Sequence, residues 1–207
     1  MTPADYARAQ RILLRRDPVL AELIRRHGPC GLAAAQRADH FSALVRAITF
    51  QQLSTKAAST IYARLIARMP DGRPDAPALA ALSDDQFREA GISRQKARYL
   101  RDLAERVISG ALDLDEIERL SDEEVIAALT QVKGIGRWSA EMFLMFRLHR
   151  PDVLPASDLG IVNAIKKAYR LRKVPSADRV RRIGDAWKPY RSVACWYLWR
   201  SLDSEPW

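Results

Sequence analysis

The chain has 207 residues, 48% of them hydrophobic, and a formal net charge of +9. That length supplies one domain or two small lobes with a proper core, and the basic surplus points to a polyanion, nucleic acid first, unless it only solubilises the surface. Two cysteines, Cys30 and Cys195, without CxxC spacing exclude a disulfide framework and leave too few ligands for a structural zinc or a four-cysteine iron–sulfur cluster.

No apolar run reaches bilayer length, and the N-terminus lacks the layout of a signal peptide, so a cytoplasmic protein without a membrane partner is expected. Helical spacing begins at once. Ile12, Leu13, Val19, Leu20, Leu23 and Ile24 recur, with a helix start at Asp17-Pro18, and His27 reads as the last residue before a glycine cap at Gly28. Periodicity returns through Phe41, Leu44, Val45, Ile48, Leu53, Ala57, Ala58, Ile61, Tyr62 and Leu65. The stretch from Met69 to Pro77, dense in proline, glycine and aspartate, reads as a loop.

An internal echo follows. Ser83 with Gln86, and Ser121 with Glu124, have the spacing of capping boxes. Each opens a helix that runs into a glycine turn, Gly91-Ile92-Ser93 or Gly134-Ile135-Gly136, and then into a second helix. Beyond Leu159–Tyr169 and Arg179–Trp187 comes a last helix rich in aromatics, and the tail after Leu202 is polar and reads as frayed. Cys195 lies in an apolar run and reads as buried. Nothing alternates at period two, so an all-α fold with little or no sheet is expected.

Two segments carry chemistry. In Thr130-Gln131-Val132-Lys133-Gly134-Ile135-Gly136-Arg137-Trp138, glycines at 134 and 136 permit positive φ and close approach of another backbone. The unpaired amides of such a turn form an anion site, flanked here by Lys133 and Arg137. One DNA phosphate fits it without base readout; the alternative is an ordinary tight turn. The backbone oxygens of Thr130, Val132 and Ile135 could also hold a monovalent cation. One helix later, Asp158 in Leu154-Pro155-Ala156-Ser157-Asp158-Leu159-Gly160 stands at a helix start, where dipole and amides favour its charged form. It is either an N-cap or a carboxylate that stabilises a developing positive charge. Asp152 is the rival carboxylate.

The segments Val132–Ala140 and Asp152–Gly160 resemble the helix–hairpin–helix (HhH-GPD) DNA glycosylases, most closely the alkylpurine branch of 3-methyladenine DNA glycosylase II type. Arg46–Ala58, Gly91–Ala97 and Trp187–Ser192 agree, so the resemblance covers about Phe41 to Leu202. It implies a two-lobed helical fold with a DNA cleft between lobes: residues 38–120 as a central lobe, and residues 1–37 with 121–207 as a second lobe that holds the hairpin at about 122–147. The N-terminal segment is expected to pack onto the C-terminal lobe, and no N-terminal sheet lobe is expected.

The resemblance makes Asp158 the catalytic residue, acting on damaged double-stranded DNA as a monomer with no metal or organic cofactor. Trp138, Met142 and Trp199 are then the base pocket, with core packing as the alternative for the tryptophans, and Trp196 is read as core. A base must leave the stack to be cut, and Gln52, or Leu53 by a one-residue slip, would fill the gap as a wedge. Trp138 stands where bifunctional relatives carry a Schiff-base lysine, so a monofunctional enzyme leaving an abasic site is expected. Arg137, Lys166, Lys167, Arg170, Arg172, Lys173 and Arg191 would contact phosphates without reading sequence. The expected reaction is hydrolysis of the N-glycosidic bond of 3-methyladenine or 7-methylguanine. The rivals are a helical glycosylase for hypoxanthine, an etheno adduct or uracil, and a DNA-binding module in which Asp158 only caps.

Overall fold

The computed structural model describes residues 1–34 and 39–202, and among these it contains helices and no strand. The expected frayed tail and the expected lobe boundary at 37/38 lie outside the described residues. In chain order the α-helices are α1 (Pro3–Arg16), α2 (Pro18–His27), α3 (His40–Phe50), α4 (Thr55–Ile66), α5 (Ala76–Ala81), α6 (Asp84–Ala90), α7 (Arg94–Ile108), α8 (Asp122–Leu129), α9 (Arg137–Phe146), α10 (Leu159–Ala168), α11 (Ala177–Gly184) and α12 (Arg191–Arg200). No helix among the described residues is long and apolar enough to cross a membrane.

The chain divides into two compact units, Met1–Gln36 with Leu144–Trp207, and Arg37–Phe143. The second boundary falls inside α9, so most of the hairpin groups with the middle unit. The sequence reading drew that boundary at 120/121. Side-chain tethers from Gln51 and Asp102 to the hairpin, described below, explain the grouping.

In the terminal unit the N-terminal helices pack with the C-terminal ones, as expected: α12 lies against α1, α2 and α10. Val193, Ala194, Cys195, Tyr197 and Leu198 are fully buried, so α12 is apolar nearly all round, as a central helix must be. Trp196 lies edge-on to Tyr197 and covers Gly31, in keeping with its reading as a packing residue. Asp17 caps α2 by accepting from the amides of Val19 and Leu20 at 2.9 and 3.1 Å. It is itself buried, and it also accepts from Trp187 Nε1 at 2.9 Å and from the Tyr169 hydroxyl. A carboxylate is tolerated at that depth only with such a set of donors. Gly28 ends α2 at φ 71°, the cap expected after His27.

In the middle unit α7 packs on α3, α5 and α6 and buries Ala97, Leu100, Leu103 and Ala104. Both capping boxes form, with Ser83 and Ser121 each bonded reciprocally to the residue three positions on. Gly91 ends α6 in the left-handed conformation at φ 89°. One boundary differs from expectation. The loop ends early, at Asp75, because its side chain accepts from Ala78 N at 2.9 Å and starts α5. The periodic stretch from Phe41 to Leu65 is two helices, broken at Gln51–Ser54, where Ser54 caps α4.

Candidate functional site

Asp158 sits at the end of an irregular segment that returns the chain from α9 to α10. Ser192, at the start of α12, ties that segment down. Its hydroxyl donates to Arg150 O at 2.7 Å and accepts from Val153 N at 3.0 Å. Asp158 then caps α10, with Oδ1 accepting from Ile161 N at 2.7 Å. The same oxygen accepts from the indole Nε1 of Trp199 at 2.8 Å. A Cβ at Gly160 would fall 2.9 Å from Trp199 Cδ1 and 3.0 Å from Asp158 Oδ1, so the glycine is required by the close approach of that ring. Phe146 stacks on Trp199, with centroids 5.9 Å apart and planes at 26°. Trp199, read from the sequence as a pocket wall or a core residue, therefore also fixes the carboxylate. Sequence reasoning missed Phe146 altogether, since nothing local marks one aromatic among several at the end of α9.

Asp152 is accounted for otherwise. Arg191 holds it with Nε–Oδ1 at 2.7 Å and Nη2–Oδ2 at 2.9 Å, and donates its backbone amide to Oδ1 as well. This bidentate, charge-assisted pair closes the segment onto α12. It also removes Arg191 from the cations available to phosphate, which corrects its sequence reading. Asp152→Asn is expected to lower stability by roughly 1–3 kcal/mol, the usual cost of weakening hydrogen bonds to a charged group, while leaving the chemistry intact. Thermal melting and a base-release assay on the same protein would check this.

The hairpin between α8 and α9 is built on Gly134, at φ 82°. A Cβ there would lie inside the ring of Tyr99 on α7. Gly136 differs from the sequence expectation: it needs no positive φ, and nothing lies within 4 Å of an added Cβ. Among the described residues no acceptor is bonded by the amides of Gly134 and Gly136. The amide of Ile135 closes the turn onto Val132 O at 3.1 Å, so that carbonyl is already engaged among the oxygens of Thr130, Val132 and Ile135.

The two flanking cations are paired. Lys133 gives its amide to Asp102 Oδ2 at 2.9 Å and its ammonium to Asp102 Oδ1 at 3.4 Å. Burial works against the Asp102 charge, but bonds from Lys133 and Arg106 outweigh it and hold the carboxyl below its ordinary range. Arg137 bonds Glu123 at 2.6 and 3.1 Å and Glu141 at 3.2 Å. The Arg137–Glu123 pair is solvent-exposed and so is worth about 0.2–1 kcal/mol, weak enough to be exchanged for a phosphate.

A single cavity of about 700 Å³ in the middle unit brings together Gln52, Gly134, Trp138 and Met142. Trp138, in the first turn of α9, is 49% exposed, which is not how a core tryptophan sits. The exposed Leu53 is not among the lining residues, while Gln52 is, and it stands at φ 56° in the left-handed region. Lys96 and Tyr99 also line the cavity; sequence reading gave them no role, although Lys96 falls in a segment that carried the resemblance.

The chain is similar to known proteins over most of its length. The family model for HhH-GPD superfamily base excision DNA repair proteins matches residues 45–189. DNA-3-methyladenine glycosylase 1 of Schizosaccharomyces pombe is 39% identical over 80% of this chain and 74% of its own length. The alkylbase DNA glycosidase-like protein mag2 of the same organism is 31% identical over 95% of this chain and 94% of its own. Among solved structures, the S. pombe 3-methyladenine DNA glycosylase in complex with abasic DNA superposes with a TM-score of 0.82 at 36% identity, covering 94% of this chain and 96% of that one. A DNA-3-methyladenine glycosidase from Bacillus halodurans gives a TM-score of 0.84 at 38% identity, covering 93% and 88%. The chain therefore belongs to the HhH-GPD superfamily of base excision DNA repair proteins.

Proposed function

We propose that this protein is a DNA glycosylase that hydrolyses the N-glycosidic bond of alkylated purines, 3-methyladenine and 7-methylguanine, and leaves an abasic site. The observation that carries the reading is Asp158, held by Ile161 N and Trp199 Nε1 at the start of α10. In the reaction the C1′–N bond breaks and its electron pair leaves with the base. Positive charge builds on the sugar, where Asp158 stabilises it. Water then bonds C1′ and gives up a proton, which the carboxylate can accept.

Trp138 and Met142 hold the flipped base. A purine methylated on a ring nitrogen is cationic, and an aromatic face attracts it by about 0.5–2 kcal/mol. Trp199 is the group that positions Asp158. The amides of Gly134 and Gly136 receive a backbone phosphate, and Gln52 fills the vacated stack. Trp138 offers no amine for a Schiff base, which supports a monofunctional enzyme. The relatives named as 3-methyladenine glycosylases support the substrate class.

A panel of duplexes containing methylated purines, hypoxanthine, etheno-adenine or uracil is the test. Free methylated base should be released, with no covalent adduct trapped by borohydride. Release of uracil alone would overturn the substrate assignment, and a trapped adduct would overturn the monofunctional one.

A further inference from the structure

The turn that follows α3 is held by residues that no role above employs. Gln52 stands in a left-handed conformation, which costs a non-glycine residue about 1–2 kcal/mol and persists only where its surroundings impose it. Lys96 braces the residues just before Gln52. Its ammonium donates to Thr49 O at 2.7 Å and to Gln51 O at 2.7 Å, so one charge closes the end of α3 and fixes the residue just before Gln52. Burial also lowers the pKa of that ammonium; its position on two carbonyls states its role independently. Gln51 then reaches in the other direction, donating Nε2 to Gly134 O at 2.9 Å across 83 residues of sequence. Gly134 is the hairpin tip, seated on the ring of Tyr99 from the same helix as Lys96.

We infer that Lys96 and Gln51 are positioning residues that lock the Gln52 turn to the hairpin tip, so that the grip on a backbone phosphate delivers the wedge into the base stack. The inference rests on the proposed wedge and hairpin roles, and goes beyond them by making the two parts one mechanical piece. The hairpin does not depend on this link for its own shape: Asp102 holds Lys133 and Tyr99 underlies Gly134 whether or not Gln51 is present. Gripping and wedging should therefore separate when the link is cut.

The test uses the whole protein and a duplex with 2-aminopurine beside a stable abasic-site analogue. Binding is read by anisotropy and unstacking by 2-aminopurine fluorescence. Lys96→Met and Gln51→Met should bind within about threefold of the unaltered protein. They should lose about tenfold in the fluorescence rise, the scale of hydrogen bonds made to or by charged and oriented groups. Lys96→Arg, which keeps a cationic donor over both carbonyls, should restore the signal. Gln51 carries an exposed hydrogen bond, so its replacement does not threaten folding, and it keeps the test open if Lys96→Met fails to fold. Affinity and fluorescence falling by the same factor would mean a merely structural role and would overturn the inference, as would an unchanged signal in Gln51→Met or no rise with the unaltered protein. A full fluorescence rise with no base released from methylated duplexes would defeat the proposed function and leave this inference standing.

Discussion

Replacing Asp158 by Asn is expected to slow base release on the order of a hundred- to a thousandfold, the loss seen when one preorganised partner of a developing charge is removed. The substitution is unusually clean in this site. Asn is as good an N-cap as Asp, and its amide oxygen can take the place of Oδ1, accepting from Ile161 N and Trp199 Nε1 as the carboxylate does. Stability should then change by no more than about 1 kcal/mol, and affinity for duplex should persist because the hairpin lies elsewhere in the chain. Single-turnover release, thermal melting and duplex binding on one preparation separate the possibilities. Full release by Asp158→Asn would reduce the residue to a cap. Lost release with intact binding would exclude a module that binds DNA without catalysis.

The features legible in the sequence are those set by residues a few positions apart. Ser83 with Gln86, Ser121 with Glu124, Asp17 before Pro18 and Gly28 after His27 each state a helix end locally, and each forms. Asp158 was legible for the same reason, since a carboxylate before an apolar helix has few places to be. What stayed hidden is set by distance in the chain. Lys96 finds its carbonyls 45 and 47 residues away, Lys133 meets Asp102 across 31, and Trp199 reaches Asp158 across 41.

Charge misled for a related physical reason. A cation beside a glycine turn looks available to phosphate until its carboxylate partner is known. Lys133, Arg137 and Arg191 all have such partners. The proposed phosphate grip would accordingly rest on backbone amides first, and on Arg137 only through exchange of an exposed pair.

The two hairpin glycines look equivalent in sequence and should behave oppositely when each is changed to alanine. At Gly134 the backbone is at φ 82° and a Cβ would enter the Tyr99 ring. Left-handed strain and overpacking together predict a loss of roughly 2–5 kcal/mol, visible as a lower melting temperature and a hairpin that no longer binds duplex. At Gly136 the φ is ordinary, an added methyl group meets nothing within 4 Å, and the carbonyl already accepts Ala140 N at 3.1 Å to begin α9. Gly136→Ala should cost no more than about 1 kcal/mol, the difference between glycine and alanine as a cap.

The open space around Gly136 is nevertheless where an incoming phosphate would come closest to the amides. A methyl group there should weaken duplex binding about ten- to a hundredfold, the value of one or two hydrogen bonds to a charged group. The steep salt dependence expected of phosphate contacts should flatten with it. A Gly136→Ala protein that melts normally and binds duplex with unaltered affinity and salt slope would remove the phosphate from this turn. The glycine would then be left with only its modest advantage over alanine as a cap, because neither its backbone angle nor its neighbours require it.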